Sequence, residues 1–304
     1  MKKGLKPILF AAMVLAMVSS LFSGMQNVSA ATEKSKQASE VDLRVMSYNL
    51  RYLNSTDPSP HTWAERVPTI KKLIQKEQPD IIGTQEAVYQ QIQDLKDTLP
   101  EYNWIGLGRE GGSKGEYSAI FYNENKYTPL EYDHYWLSDT PNVIGSKSWG
   151  NKIPRMVTWA KFLDKRSNQQ FYVVNTHFDH QSPEAREKSA ALILEKTKAF
   201  NPDLPVILTG DFNAGPASLP HQTLTKDGEF SDLWDTAQTR VNEDLGTFNG
   251  FNDPTGQGPE RRIDWILAKG NILAKTIEII NYQKNGQFPS DHYPVMTDLT
   301  MNYK

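Results

Sequence analysis

The chain has 304 residues, a formal net charge of −3 and 38% hydrophobic residues, which suits one large globular domain or two small ones. This composition excludes disordered, collagen-like and multi-span membrane proteins. Because the sequence holds no cysteine, it also excludes a disulfide framework, a thiolate zinc site, an iron–sulfur cluster and a cysteine nucleophile.

The first thirty residues have the pattern of a secretory signal peptide. Three lysines precede an apolar run over Ile8–Val18, and Val28–Ala30 resembles a small-residue cleavage site. We expect a signal peptide over residues 1–30, a flexible tether over 31–40 and a secreted protein; an N-terminal membrane anchor is the alternative. Cleavage would remove the three lysines without any acid, which leaves the exported chain more acidic.

Strand patterns outnumber helix patterns in the rest of the chain, which we expect to form a single domain over residues 41–304. The predicted strands cover Leu43–Leu50, Asp80–Thr84, Ala119–Tyr122, Met156–Leu163, Phe171–Thr176, Val206–Thr209, Ile263–Leu267, Ile277–Tyr282 and Tyr293–Leu299. The predicted helices cover Trp63–Ile74, Val88–Leu99 and Pro183–Phe200. Such an excess of strands favours two sheets packed face to face with helices outside.

Polar residues stand at the ends of several predicted strands, where a buried polar side chain must be paired or must serve a site. Asn49 and Glu86 each follow a strand and can offer oxygen to a hard cation; a turn and a helix start are the simpler explanations. Asp211 and Asn213 follow another strand. Together they can accept a proton from water and hold that water, or they can form an Asx turn.

Two further strand ends carry histidine. Asn175 and His177 share one face of an extended segment, and two convergent donors suit a phosphate. The segment His177–His180 also resembles part of the zinc motif of metallo-β-lactamases, in which Asn175 takes the place of the first histidine. Asp264 can pair with His292, which would fix the tautomer of the ring and support its positive charge.

A glycine-rich segment, GLGREGGSKGE over residues 106–116, invites comparison with a phosphate-binding loop. The Gly-Lys-Ser/Thr ending and the following helix of such a loop are missing. We therefore expect a mobile surface loop at the rim of the site, with Arg109 as a candidate substrate contact.

Taken in order, the segments SYN, TQE, NTHFDH, TGDFN, RIDWI and SDHYPV resemble the endonuclease/exonuclease/phosphatase superfamily over about Arg44–Val295. This family of metal-dependent phosphoesterases includes nucleases, inositol polyphosphate phosphatases and sphingomyelinases. The resemblance implies an α+β fold, a four-layer α/β/β/α sandwich with its site at one edge of the paired sheets. GEYSAIFYN, PRMVTWAKF and TFNGF look like a bacterial subgroup with poorly defined substrates.

The resemblance also implies a metal site and a water site. Glu86 would be the main Mg²⁺ ligand with Asn49 beside it, and Asp291 would be a further metal or phosphate-site group. Asp211 would activate or hold the attacking water, which Asn213 would orient. Oxygen ligands favour Mg²⁺, Mn²⁺ or Ca²⁺ over zinc.

A phosphate site follows from the same resemblance. His292, paired with Asp264, would bind the scissile phosphate, and Asn175 and His177 would contact its oxygens. Arg155 matches an arginine that contacts substrate phosphate in relatives. The sequence leaves open whether Asp211 or His292 is the general base.

These features predict a secreted Mg²⁺-dependent phosphoesterase that acts on a small phosphorylated molecule, such as a sugar or inositol phosphate. The acidic charge favours this function over nucleic-acid binding. A secreted nuclease is the alternative, because Arg109, Lys114, Arg155, Arg261 and Arg262 could form a basic rim. A sphingomyelinase-like enzyme or a non-catalytic binding protein is less favoured. We expect a monomer without stable membrane association.

Overall fold

Alternating buried residues begin the fold at strand β1 (Ser39–Asn49), where Val41, Leu43 and Val45 face the interior. The computed structural model describes Met1 and residues 39–303, of which Glu40–Tyr303 form one unit. The predicted signal peptide, and the predicted tether up to residue 38, lie outside the described residues. None of the helices in the described part of the chain is long and apolar enough to span a membrane.

One sheet has seven strands. In spatial order they are β10 (Thr239–Val241), β12 (Ile272–Ile279), β13 (Val295–Tyr303), β1, β2 (Ile81–Gln85), β4 (Ile120–Asn123) and β3 (Tyr102–Ile105). β1 and β2 run parallel, and Asn49 pairs with Gln85 at their carboxyl ends. Glu86, the next residue, therefore leaves the sheet beside Asn49.

The other sheet has six strands. In spatial order they are β5 (Tyr127–Trp136), β6 (Met156–Asp164), β7 (Gln170–His177), β8 (Val206–Asp211), β11 (Asp264–Lys269) and β9 (Ser231–Asp232). β7 and β8 are parallel and pair His177 with Asp211, whereas β8 and β11 are antiparallel and pair Asp211 with Asp264. The register thus places these three polar residues side by side on adjacent strands.

Helices cover the outer faces of the two sheets. They are α1 (Trp63–Glu77), α2 (Tyr89–Thr98), α3 (Pro183–Thr197) and α4 (Leu219–Thr225), whereas the short helix α5 (Leu233–Thr236) packs into the cluster between the sheets. α1 and α2 share a core cluster with the seven-stranded sheet, α3 and α4 share another with the six-stranded sheet, and a third cluster fills the space between the sheets. This is the predicted α+β fold with four layers.

The start of α3 shows how the sequence sets an element boundary. The Ser182 side chain accepts a hydrogen bond from the Ala185 amide at 3.1 Å, and Pro183 occupies the first turn. The serine satisfies a free amide, and proline at this position loses no helical hydrogen bond. The prediction of a helix beginning at Pro183 is confirmed.

The apolar patterns missed four strands, β3, β5, β9 and β10, and misplaced β12. β5 lies at the edge of its sheet, its middle is exposed, and a bulge falls between Pro129 and Glu131, so the strand lacks a clear buried face. The strand expected over 277–282 begins at Ile272 instead. A register shift between Ala274 and Thr276 breaks its alternation, which is the signal on which strand prediction depends.

Candidate active site

Side chains from both sheets line one cleft of about 610 Å³. Glu86 lies on the side of the seven-stranded sheet, and His177 and Asp211 lie on the side of the six-stranded sheet. Asp291 and His292, from the segment before β13, complete this part of the wall. The structure therefore brings together predicted site residues that are far apart in the sequence.

Glu86 is held in an unusual backbone conformation. Its φ of 67° lies in the left-handed region, which non-glycine residues adopt mainly where the surroundings enforce it. Its carboxylate accepts hydrogen bonds from the Tyr52 amide and from the Asn49 side chain, both at 3.1 Å. The sharp turn after β2 thus directs a carboxylate into the cleft and fixes both of its oxygens.

Asn49 connects two carboxylates. Its Nδ2 donates to Glu86 and to Asp211 Oδ2, the latter at 2.9 Å, while its Oδ1 accepts from the Arg51 amide at 3.0 Å. The amide nitrogen therefore faces the acidic groups. In this arrangement Asn49 holds both carboxylates in place, and its expected role at the metal site stays a prediction.

Glu86, Asp211 and His292 lie close enough together to hold a metal ion. One ligand atom from each of them lies within 4.8 Å of the other two. Two carboxylates and an imidazole form a donor set that divalent cations accept. These residues therefore fit a metal ion.

Asp291 lies in the cleft wall but outside this group of three. Its Oδ2 is 3.7 Å from Arg51 Nη1. Burial raises the pKa of Asp291 to about 6. Its expected role as a further metal or phosphate-site group stays a prediction.

His292 and Asp264 form the expected pair. His292 Nδ1 lies 2.8 Å from Asp264 Oδ2, and both residues are buried. Burial by itself lowers the pKa of His292, but Asp264 and Asp211 outweigh it and hold the pKa well above the ordinary value. Nε2, 3.8 Å from Asp211 Oδ2, is left as the nitrogen that faces the cleft.

Asp211 and Asn213 form an Asx turn, which the sequence offered as the alternative to a water-binding pair. Both residues also line the cleft. The Asn213 amide donates to Asp211 Oδ1 at 2.9 Å. Burial and the neighbouring Asp264 raise the pKa of Asp211 to about 7. The turn and a role in the site are therefore compatible, because the turn fixes the carboxylate in place.

His177 lies beside Asn213. Its Nε2 is 3.0 Å from Asn213 Nδ2 and 3.5 Å from Asp211 Oδ2. Burial and the positive charges of Arg155 and Arg109 hold the pKa of His177 well below the ordinary value. A neutral imidazole here can exchange hydrogen bonds without adding charge to the cleft.

Arg155 is a buried cation in the cleft wall, with 5% of its surface exposed. Its Nη2 donates to His180 Nδ1 at 3.0 Å, whereas Nε and Nη1 have no hydrogen-bond partner among the described residues. Asp179 Oδ2 lies 3.8 Å from Nε, beyond hydrogen-bond distance. Two unpartnered donors in a buried guanidinium suit an anionic oxygen.

The zinc alternative does not match the structure. Asp179 Oδ1 accepts hydrogen bonds from the amides of Gln181 and Ser182, at 2.9 and 2.7 Å, just before α3. Among the described residues, the ligand atoms of His177, Asp179 and His180 do not form a metal-sized cluster. Asp179 is a turn residue here, so the resemblance to the zinc motif was misleading.

Asn175 does not contact the cleft. It is fully buried, and its Nδ2 donates to the carbonyl oxygens of Thr84 and Ala119 at 2.8 and 2.9 Å. Its Oδ1 accepts from Gln85 Nε2 and Thr209 Oγ1 at 2.8 and 3.0 Å. The expectation of a phosphate contact was wrong, because these four hydrogen bonds occupy the amide and join the two sheets.

The basic rim is smaller than the sequence suggested. Arg109 and Arg261 line the cleft, but Arg262 is buried and donates to Asp232 Oδ2 at 2.9 Å. Lys114 is exposed and is not part of the cleft wall. Arg262 was misassigned because its side chain lies on the opposite side of the chain from that of its neighbour Arg261.

Sequence reasoning missed Arg51 and Glu116 as cleft residues. Arg51 stands two residues after Asn49 of the segment SYN, and its φ of 57° marks a second strained turn at the same edge. Glu116 precedes β4 in the segment GEYSAIFYN. A charged residue next to a buried strand is the signal that could have identified it.

A family model described as the endonuclease/exonuclease/phosphatase family matches residues 46–292 of the chain. The chain belongs to this family. Its fold and the acidic cluster at the sheet edge agree with that membership, and the protein is a phosphoester hydrolase. The description of this family covers endonucleases, exonucleases and phosphatases.

Three matches illustrate what the chain is similar to. A mannosyl-6-phosphatase of Bacteroides thetaiotaomicron is 36% identical, with a TM-score of 0.80 over 84% of this chain and 99% of that one. An uncharacterised protein of Acanthamoeba polyphaga mimivirus is 31% identical over 84% of this chain and 98% of its own length. TDP2 of D. rerio, solved with a single-stranded DNA product, is 17% identical with a TM-score of 0.68 over 85% and 98% of the chains, and shows the fold alone.

Proposed function

We propose that this protein is a secreted, Mg²⁺-dependent phosphomonoesterase that hydrolyses a phosphorylated sugar. One observation carries the proposal: a group of residues that fits a metal ion, Glu86, Asp211 and His292, shares its cleft with Arg155 and its two unpartnered donors. A terminal phosphate carries its charge on several oxygens. It is best bound where a cation and a guanidinium act on it together.

The roles of the chain's own residues follow from their contacts. Bound Mg²⁺ would supply charge neutralisation at a phosphoryl oxygen and a more acidic water. Asp211 accepts the proton of the attacking water, and the Asn213 turn holds its carboxylate in position. His292 donates a hydrogen bond from Nε2 to the phosphate, because its contact with Asp264 favours the charged ring, so the metal ion would be held by the oxygens of Glu86 and Asp211.

The size and charge of the site support a small substrate. A cleft of about 610 Å³ is within the range usual for small-molecule sites. The net charge of −3 disfavours the binding of nucleic acid, and the buried Arg262 is paired with Asp232 and does not add to a basic surface. The 36% identity to a mannosyl-6-phosphatase supports a hexose phosphate as the first substrate to test. Secretion rests on the sequence of the first thirty residues.

Phosphate release from a panel of esters tests the substrate class. The panel compares mannose 6-phosphate, an inositol monophosphate, p-nitrophenyl phosphate, bis-p-nitrophenyl phosphate and plasmid DNA, each with Mg²⁺ or EDTA and beside His292→Ala. We expect Mg²⁺-dependent cleavage of the monoesters that His292→Ala abolishes. Preferred cleavage of the diester and of DNA, with a steep loss of activity as salt rises, would contradict the proposal and indicate a nuclease.

A further inference from the structure

Glu116 is a carboxylate of the cleft that lies outside the group of three fitted to a metal ion. Glu116 lines the main cleft and, with Arg155 and Tyr117, a small recess beside it. Its side chain is 18% exposed, and burial raises its pKa to about 6. An acid placed near a phosphate-binding arginine weakens the binding of an anion, so its presence there calls for another explanation.

The carboxylate of Glu116 is held on one side and free on the other. Arg109 Nη1 donates to Glu116 Oε2 at 2.5 Å, and no other described residue hydrogen-bonds to this carboxylate. The Arg109 amide donates to the Glu116 carbonyl at 2.9 Å, and the Arg109 carbonyl accepts from Trp136 Nε1 at 2.7 Å. The pair is therefore fixed to the fold, and Oε1 keeps its lone pairs for a ligand in the cleft.

A fixed, partly buried carboxylate with a free oxygen is a strong acceptor for hydroxyl groups, because hydrogen bonds to an ionised acceptor are shorter and stronger than neutral ones. The same charge repels a second phosphate group, which disfavours polyphosphates and nucleic-acid strands. Both effects act on the part of the substrate that lies beyond the scissile phosphate.

We propose that Glu116 is the specificity-determining residue of this site: it accepts hydrogen bonds from the hydroxyl groups of the leaving alcohol and so selects sugar phosphates. The inference rests on the proposed phosphomonoesterase function and names the group that distinguishes its substrates. Arg109 acts as the positioning residue that holds the carboxylate.

The test is Glu116→Gln, with Glu110→Gln as the matched control, since Glu110 is an exposed residue of the same hairpin and lies outside the cleft wall. For each enzyme kcat/KM is measured on mannose 6-phosphate and on p-nitrophenyl phosphate, which has no hydroxyl on its leaving group. We expect Glu116→Gln to lower the ratio of the two values about 10- to 100-fold, mainly through KM of the sugar phosphate. Glu110→Gln leaves the ratio unchanged.

Equal losses on both substrates would overturn the inference, because they would show that Glu116 acts only through Arg109 or the fold. A second measurement holds if Glu116→Gln does not fold: the wild-type enzyme should prefer mannose 6-phosphate over cyclohexylmethyl phosphate by at least about tenfold. No preference would also overturn it. Failure of the proposed function has a different signature, a wild-type enzyme that releases no phosphate from any monoester.

Discussion

Asp264 contacts the cleft only through His292. It is fully buried, its Oδ2 lies 2.8 Å from His292 Nδ1, and its Oδ1 has no partner among the described side chains. In Asp264→Asn the imidazole loses the charge that supports its protonated form. We expect kcat to fall about 10²- to 10⁴-fold, and the pKa of His292 to fall as well.

Steady-state kinetics and an NMR titration of the histidine rings measure these two effects. Asp235→Asn, at an exposed position on another part of the surface, serves as the control. Activity of Asp264→Asn within about threefold of the wild type would show that the pair is structural only.

We expect Asp211 to make the metal-free protein less stable at neutral pH. Burial and the Asp264 carboxylate raise its pKa from 3.8 to about 7. The folded state therefore holds this proton more tightly than the unfolded state does, and that contribution to stability is complete below about pH 3.8 and is lost as the pH rises towards 7.

We accordingly expect Asp211→Asn to raise Tm relative to the wild type in EDTA at about pH 8, by several degrees, and to have a smaller effect near pH 5. Added Mg²⁺ should stabilise the wild type but not the variant. Thermal unfolding at the two pH values measures this. A lower Tm of the variant at pH 8 would mean that its hydrogen bonds to Asn49 and Asn213 outweigh the cost of the buried charge.

At the level of elements, Asn175 on β7 joins the two sheets below the cleft. A Cβ on Gly83 of β2 would come within 2.7 Å of Asn175 Oδ1, so only glycine allows this close approach. Asn175→Ala removes four buried hydrogen bonds between the two sheets and within them. We expect the free energy of unfolding to fall by about 2 to 4 kcal/mol.

Urea unfolding measures this loss, with the exposed Asn125→Ala as the control. KM of the folded Asn175→Ala enzyme should stay close to that of the wild type. A large rise in KM with unchanged stability would contradict this structural role and support the phosphate contact that the sequence suggested for Asn175.

Asp232 connects β9, α4 and the segment before β11. Its Oδ2 lies 2.8 Å from His221 Nε2 and 2.9 Å from Arg262 Nη2, and its Oδ1 accepts from the Trp234 amide. Burial by itself raises the pKa of Asp232, but His221 and Arg262 outweigh it and hold the pKa below the ordinary value. Its contribution to stability is therefore present above about pH 3.8 and lost as the pH falls through the lowered pKa.

Asp232→Asn should lower the free energy of unfolding at neutral pH by about 3 kcal/mol, because it leaves the buried guanidinium of Arg262 without a charge partner. Asp235→Asn, an exposed neighbour, should change it by less than about 0.5 kcal/mol. Chemical denaturation of the two variants gives the comparison. Equal stabilities of Asp232→Asn and Asp235→Asn would show that water or another group replaces the Asp232 carboxylate.

For the whole molecule, the sequence predicts the features that depend on local pattern. Strongly apolar runs ending in polar residues identified β1, β2, β7 and β8, and the carboxyl ends of these strands do carry Asn49, Glu86, His177 and Asp211. The pairing of Asp264 with His292 was also predictable, since a buried carboxylate needs a partner.

Features that depend on how the elements pack were not predictable from one sequence. Alternation places Asn175 and His177 on one face of β7. The two residues are about 7 Å apart along the strand, however, so Asn175 is buried between the sheets and only His177 reaches the cleft. Glu116 reaches the cleft only because a hairpin over Gly108–Tyr117 brings it there. The same holds for Arg261 and Arg262, which diverge into the cleft and into the core.

Phosphate release from mannose 6-phosphate during a titration with free Mg²⁺ tests the account most directly, when wild-type enzyme is compared with Glu86→Gln. We expect saturable activation of the wild type by Mg²⁺, and a loss of about 10²-fold or more in Glu86→Gln at every concentration, with the fold retained. Activity that persists in EDTA, or that survives the loss of the Glu86 charge, would contradict a metal-assisted reaction at this cleft.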